Sequence, residues 1–202
     1  MKKLLSSLCF IALCFQLNAQ DFKPYQKGEI ALGISSPRFL PLRSYGLIPP
    51  SESSNKWGAD FDLSTCFVNR WAIGLGGTFS YTEFNQNELL YTARGLGFHA
   101  FTRYYSPAIK LGTTHLNLFG ELRLSTNYSS ASHTFNRLSY RLNSLYGGFG
   151  FTYRPIKFLS LDFLMQRSWY RLKEQPFHLR TQPGKMWLST IGINYHFIPK
   201  GR

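Results

Sequence analysis

The stretch 115-HLNLFGELRLS-125 separates into two sets when every second residue is read. Leu116, Leu118, Gly120, Leu122 and Leu124 fall on one side, and His115, Asn117, Phe119, Glu121, Arg123 and Ser125 on the other. Alternation sustained over this length marks a β-strand with one apolar and one polar face. Glu121 and Arg123 stand two apart, so they project from the same face. The leucines are expected to face lipid, and the Glu/Arg face to lie inside a small closed barrel.

The same period recurs on both sides of this stretch. Residues 27–35 set Ile30, Leu32 and Ile34 against Glu29, Ala31 and Gly33, and 56–67 set Trp57, Phe61 and Leu63 against Asp60, Asp62 and Cys66. Segments 71–82, 91–105, 142–154, 157–170 and 186–197 alternate in the same way, which makes eight strands in all. Each is about 9–14 residues, the length a tilted strand needs to cross a bilayer. The connections 36–55, 83–90, 127–141 and 171–185 are expected as loops on one rim, with tighter turns at 68–70, 106–114 and 155–156 on the other. The expected fold is therefore an all-β, eight-stranded antiparallel up-and-down transmembrane barrel. Aromatics at strand ends fit two interfacial girdles: Phe67, Trp71, Tyr104, Phe158, Tyr195 and Phe197 at the turn rim, and Trp57, Tyr81, Tyr91, Trp169 and Trp187 at the loop rim.

Residues 1–19 read as a secretory signal. Lys2 and Lys3 give the basic start, 4–15 the apolar middle, and Leu17-Asn18-Ala19 a small-residue cleavage site. The apolar run is shorter than the roughly 20 residues a membrane helix needs. Leu13 stands before Cys14 where a lipidation signal wants a small residue, so ordinary export is expected. Residues 20–202 are then a single barrel domain. Removing Lys2 and Lys3 takes the formal charge from +13 to +11 and leaves Cys66 as the sole cysteine, which excludes an intrachain disulfide and a cysteine zinc site. Nucleic-acid binding finds no supporting motif.

In its Gly-rich strand WAIGLGGTFSY, the FTRYY ending at 101–105 and the closing IGINYHF, the chain resembles the small eight-stranded outer-membrane barrels of the OmpA and OmpX type. The resemblance covers nearly all of residues 20–202. The closing segment looks like the signal read by the barrel-insertion machinery, although Ile198 to Arg202 follow its terminal aromatic.

The inward-facing set is Glu29, Asp60, Asp62, His99, Arg103, Glu121, Arg123, Arg154 and Asp162. An eight-stranded barrel is just wide enough for side chains to fill it, so opposite charges there are expected to pair as a structural plug. A proton path, or a carboxylate acting with His99, is the competing reading. The outer loops carry Arg38, Arg43, Arg137, Arg141, Arg171, Lys173, Arg180 and Lys185, a set suited to lipopolysaccharide phosphates. Ser130, Ser132, His133 and His178 lie in the same loops without a carboxylate to orient a base, which disfavours a nucleophilic triad. His115 and His196 are expected as spectators near a rim. No phosphate loop, metal-ligand cluster or cofactor motif stands out. The expectation is a monomeric, non-enzymatic protein of the bacterial outer membrane, in contact with lipid and lipopolysaccharide and acting through its basic loops. The alternatives are a lipid-modifying barrel enzyme using His99 or His133, and a soluble exported barrel holding an apolar ligand.

Overall fold

A computed structural model describes residues 24–36, 54–86, 89–112, 114–133, 136–175 and 183–198. Its strands are β1 (Ile30–Ser35), β2 (Ser54–Val68), β3 (Trp71–Gln86), β4 (Leu89–Tyr105), β5 (Ile109–Leu111), β6 (Thr114–His133), β7 (Asn136–Ile156), β8 (Leu159–Gln175) and β9 (Pro183–Phe197). β5 is a three-residue ribbon that pairs only with β6 at the turn rim. The other eight form one ring: neighbours in sequence pair antiparallel, β4 pairs β6 across the ribbon, and β9 closes on β1. Closure joins the first strand to the last, which is how a sheet avoids long free edges.

The ring is polar inside and apolar outside. Along β6, Leu118, Leu122 and Leu124 are 56%, 59% and 63% exposed, while Glu121 and Arg123 between them are 3% and 2% exposed. Ile30, Leu32, Ile34, Phe61, Leu63, Leu75, Phe98, Phe149 and Ile191 continue the outward belt.

Several expected boundaries move. Segment 127–141 is a hairpin rather than a loop, because β6 and β7 stay paired to His133 and Asn136. Likewise β3 and β4 pair as far as Gln86 and Leu89, and β8 and β9 as far as Arg171 and Pro183. β6 and β7 reach 20 and 21 residues, longer than a membrane crossing requires. The reason is physical: residues 127–133 are mostly polar whichever face they take, so apolar alternation stops, yet backbone groups still need partners and the ladder continues. At the other extreme β1 is only six residues. Residues 27–29, expected in that strand, instead belong to a turn in which Gly28 takes φ 86°. The leader, residues 1–19, lies outside the described residues.

Candidate functional site in the barrel interior

The interior is made by placing a large side chain across from a glycine. Register sets Gly74 opposite Phe101, Gly76 opposite His99, Gly97 opposite Asn127 and Gly150 opposite Phe119. In each pair the larger side chain lies over the glycine, where a Cβ would collide with it. This is how a ring of eight strands admits three arginines and their partners without opening.

At mid-barrel Arg103 and Arg123 hold four carboxylates. Arg103 donates through Nε to Glu121 Oε2 at 2.5 Å and through Nη1 to Asp162 Oδ2 at 2.6 Å. Arg123 donates through Nε to the other oxygen of Glu121 at 3.0 Å and through Nη2 to Asp62 Oδ2 at 2.8 Å, and its Nη1 lies 3.6 Å from Asp60. His99 Nε2 is 2.6 Å from Asp62 Oδ1, and its other ring nitrogen is 3.5 Å from Thr78 Oγ1. The Phe101 ring serves both guanidinium groups, at 5.3 Å from Arg103 and 4.7 Å from Arg123. Charges removed from water need this density of partners, since Coulomb attraction alone offsets their desolvation poorly.

A second cluster closes the turn rim. Arg154 donates to Glu29 Oε1 at 2.6 Å and through Nε to the carbonyl of Lys157 at 3.0 Å. His196 Nδ1 is 2.8 Å from the same Glu29 oxygen, and its Nε2 is 2.8 Å from Ser160 Oγ. Glu29 Oε2 accepts from the Tyr25 amide at 2.8 Å. The Tyr25 ring, 2% exposed, stacks on Tyr105 at 3.6 Å and meets Thr152 through its hydroxyl at 3.0 Å. Tyr25 has φ 59°, an uncommon region for a residue with a Cβ, and its carbonyl accepts from Arg70 at 2.7 Å. Residues 25–29 thus form a stopper seated in the barrel mouth.

All nine residues expected inside are found on the inner face, split between these two clusters. Two members, His196 and Tyr25, were not anticipated. His196 is a buried partner of Glu29 rather than a spectator, and His115 is also buried on the inner face. The signal for His196 was available, since it occupies the polar register of β9. Tyr25 had none, because it precedes the first alternating residue.

The basic residues assigned to loops divide differently. Arg38, Arg43 and Arg180, with His178, lie outside the described residues. Arg137 and Arg141 belong to β7, Arg171 and Lys173 to β8, and Lys185 to β9, so these are strand extensions. Arg141 is exposed and 5.3 Å over the Tyr128 ring. Ser130, Ser132 and His133 fall within β6. Among the described residues no group of three or more His, Cys, Asp or Glu is arranged to hold a metal ion.

Aromatic rings frame the apolar belt. At the turn rim Phe67, Trp71 and Tyr104 follow one another at 6.1 and 5.8 Å, and Phe158, Tyr195 and Phe197 at 5.8 and 4.9 Å. At the loop rim Trp57 contacts Phe79 and Tyr81 at 5.1 and 5.5 Å. Charge inside, hydrocarbon-compatible surface outside and two girdles now stand together. This is the architecture of a closed eight-stranded antiparallel barrel with a polar interior and an apolar outer wall. No family model and no curated protein matches the sequence. Among solved structures, the chain is similar to the N-terminal β-barrel domain of Pseudomonas aeruginosa OprF, with 10% identity, a TM-score of 0.46 and coverage of 85% of this chain and 98% of that one. It is also similar to the outer membrane protein OprG from Pseudomonas aeruginosa, with 14% identity, a TM-score of 0.47, and 86% and 97% covered. Ail, the attachment invasion locus protein of Yersinia pestis, aligns at 15% identity with a TM-score of 0.43, over 85% and 100%.

Proposed function

We propose that the chain is an integral protein of the bacterial outer membrane that works as a monomer without catalysing a reaction. Its role is in envelope structure or surface interaction, through the basic residues at its loop rim meeting lipopolysaccharide phosphates. Delivery follows export by residues 1–19 and insertion by the barrel machinery. The observation that carries this reading is the inverted polarity: a closed ring that buries its ion pairs and exposes Leu75, Phe98, Phe149 and Ile191 at 62–71%. A soluble barrel with an apolar ligand inside would need the opposite arrangement, since a continuous apolar belt in water is an aggregation surface.

The enzyme reading is the weaker one. His99 is buried on the inner face, hydrogen-bonded to Asp62 and facing Thr78. Its partners are those of a plug. A strain lacking the protein should keep its lipid A structure unchanged by mass spectrometry; an altered acylation pattern would restore the enzyme.

The test of the membrane reading is gel mobility of the detergent-extracted protein with and without boiling. A closed barrel that resists detergent runs differently in the two lanes. Identical mobility, with recovery in the soluble fraction, would refute it.

A further inference from the structure

The outer wall is not uniform. Along β4 the outward residues Ala100 and Thr102 are small, and they lie between Ile73 and Leu75 of β3 and Leu122 and Leu124 of β6. The result is an apolar groove of about 850 Å³ with Ala100 and Thr102 as its floor. A second hollow of about 760 Å³ shares Leu75, Ala100, Leu124 and Leu145 with it and extends to Thr126, Asn143 and Trp169. The two share four lining residues and so adjoin as one open, shallow groove on the outer wall.

Its upper end is polar and sits at the interface. The ladder through Leu63, Leu75, Ala100, Leu124 and Leu145 ends at Trp169 of the loop-rim girdle, whereas Trp57 of the same girdle lies on the ladder of Tyr81, Arg94 and Ser130. Strand tilt puts these two tryptophans at one height on different ladders. Thr126 and Asn143 occupy a ladder between them, so they lie level with the girdle. Asn143 Oδ1 accepts from Thr126 Oγ1 at 3.0 Å and from Arg141 Nε at 3.2 Å. Arg141, one outward step beyond Asn143, is held along the wall by that bond and by the Tyr128 ring. Arg94 stands over Tyr81 at 6.0 Å on the neighbouring β4, with Glu83 one outward step beyond Tyr81 and further from the hydrocarbon.

We propose that this groove and its polar head bind a phosphate-bearing lipid, one acyl chain along the Ala100–Thr102 floor and the phosphate on Arg141. The occupant is argued from charge and level: a positioned guanidinium at headgroup height over a groove of hydrocarbon character matches an anionic lipid, and Arg is suited to bidentate phosphate contact. The proposal rests on the membrane reading above and names a ligand class and site for it.

The test uses the full chain in phosphatidylcholine nanodiscs doped with chain-brominated phosphatidic acid or, separately, brominated phosphatidylcholine, with tryptophan quenching as readout. Half-maximal quenching is expected at about tenfold lower mole fraction for phosphatidic acid. Arg141→Ala should bring the two lipids to parity, and Ala100→Phe should weaken quenching by both. Millimolar inorganic phosphate should not displace the lipid, which separates a lipid site from a phosphate site; displacement would overturn the proposal. Equal quenching by the two lipids in the unmodified protein, or a preference untouched by Arg141→Ala, would also overturn it while leaving the membrane reading intact. A chain that shows no heat-dependent mobility shift would take down both.

Discussion

Arg103 bridges Glu121 and Asp162 from one guanidinium, and Arg123 bridges Glu121 and Asp62 from another. Each carboxylate is therefore held by geometry that only a planar fork provides. Arg103→Ala removes the guanidinium from buried Asp162 and leaves Glu121 to Arg123 alone, and should destabilise the barrel by about 3–5 kcal/mol in urea unfolding from lipid vesicles. Arg103→Lys keeps the charge but reaches fewer acceptors, so its loss should fall between zero and that of the alanine variant. Equal stability of all three proteins would show that the network contributes nothing. At this scale the candidate residues were legible and their partners were not. Glu121 and Arg123 are visible as same-face neighbours, and their 3.0 Å contact follows from spacing. That Arg123 also reaches Asp62 depends on strands β2 and β6, which are not adjacent in the ring.

At the scale of elements, the glycines of β3, β4 and β7 earlier stood out only as small residues in alternating strands. Register gives four of them a use: Gly74, Gly76, Gly97 and Gly150 each face a larger inward side chain on the next strand. Gly150 and Gly120 form a controlled comparison on neighbouring strands. A Cβ on Gly150 would strike the Phe163 carbonyl and stand 2.8 Å from the Phe119 ring, whereas a Cβ on outward Gly120 meets nothing closer than 3.9 Å. Gly150→Ala should therefore lower folding yield and stability by about 1–3 kcal/mol, the usual range for overpacking. Gly120→Ala should be neutral or slightly stabilising, as a strand glycine is entropically unfavourable. The check is refolding yield by heat-modifiable mobility; similar losses in both variants would rule out the packing argument. The hairpin extension at 127–141 escaped sequence reading for a related reason. Periodicity reports an alternation of apolar and polar residues, and residues 127–133 are mostly polar on both faces.

For the whole molecule, closure and filling decide what can pass. The void beside Arg103, Asp62 and Asp162 is only about 10 Å³, at the lower limit for holding a single water. Below it the stopper of residues 25–29 is anchored by Gly28 to the Cys66 carbonyl and by Cys66 to the Glu29 carbonyl, at 2.7 and 2.8 Å. The barrel should accordingly show no steady ion conductance in planar bilayers. Stepwise channels in the unmodified protein would contradict a filled lumen. The architecture itself was determined by the sequence, because face polarity along a strand is a local property with a period of two residues, and closure follows from a membrane that tolerates no free edge. Only the tertiary structure decided which charges meet: Arg154 and Glu29 are 125 residues apart and Tyr25 and Thr152 are 127 apart. Their contacts arise from ladder register and from closing β9 on β1, and no local pattern encodes a distance around a ring.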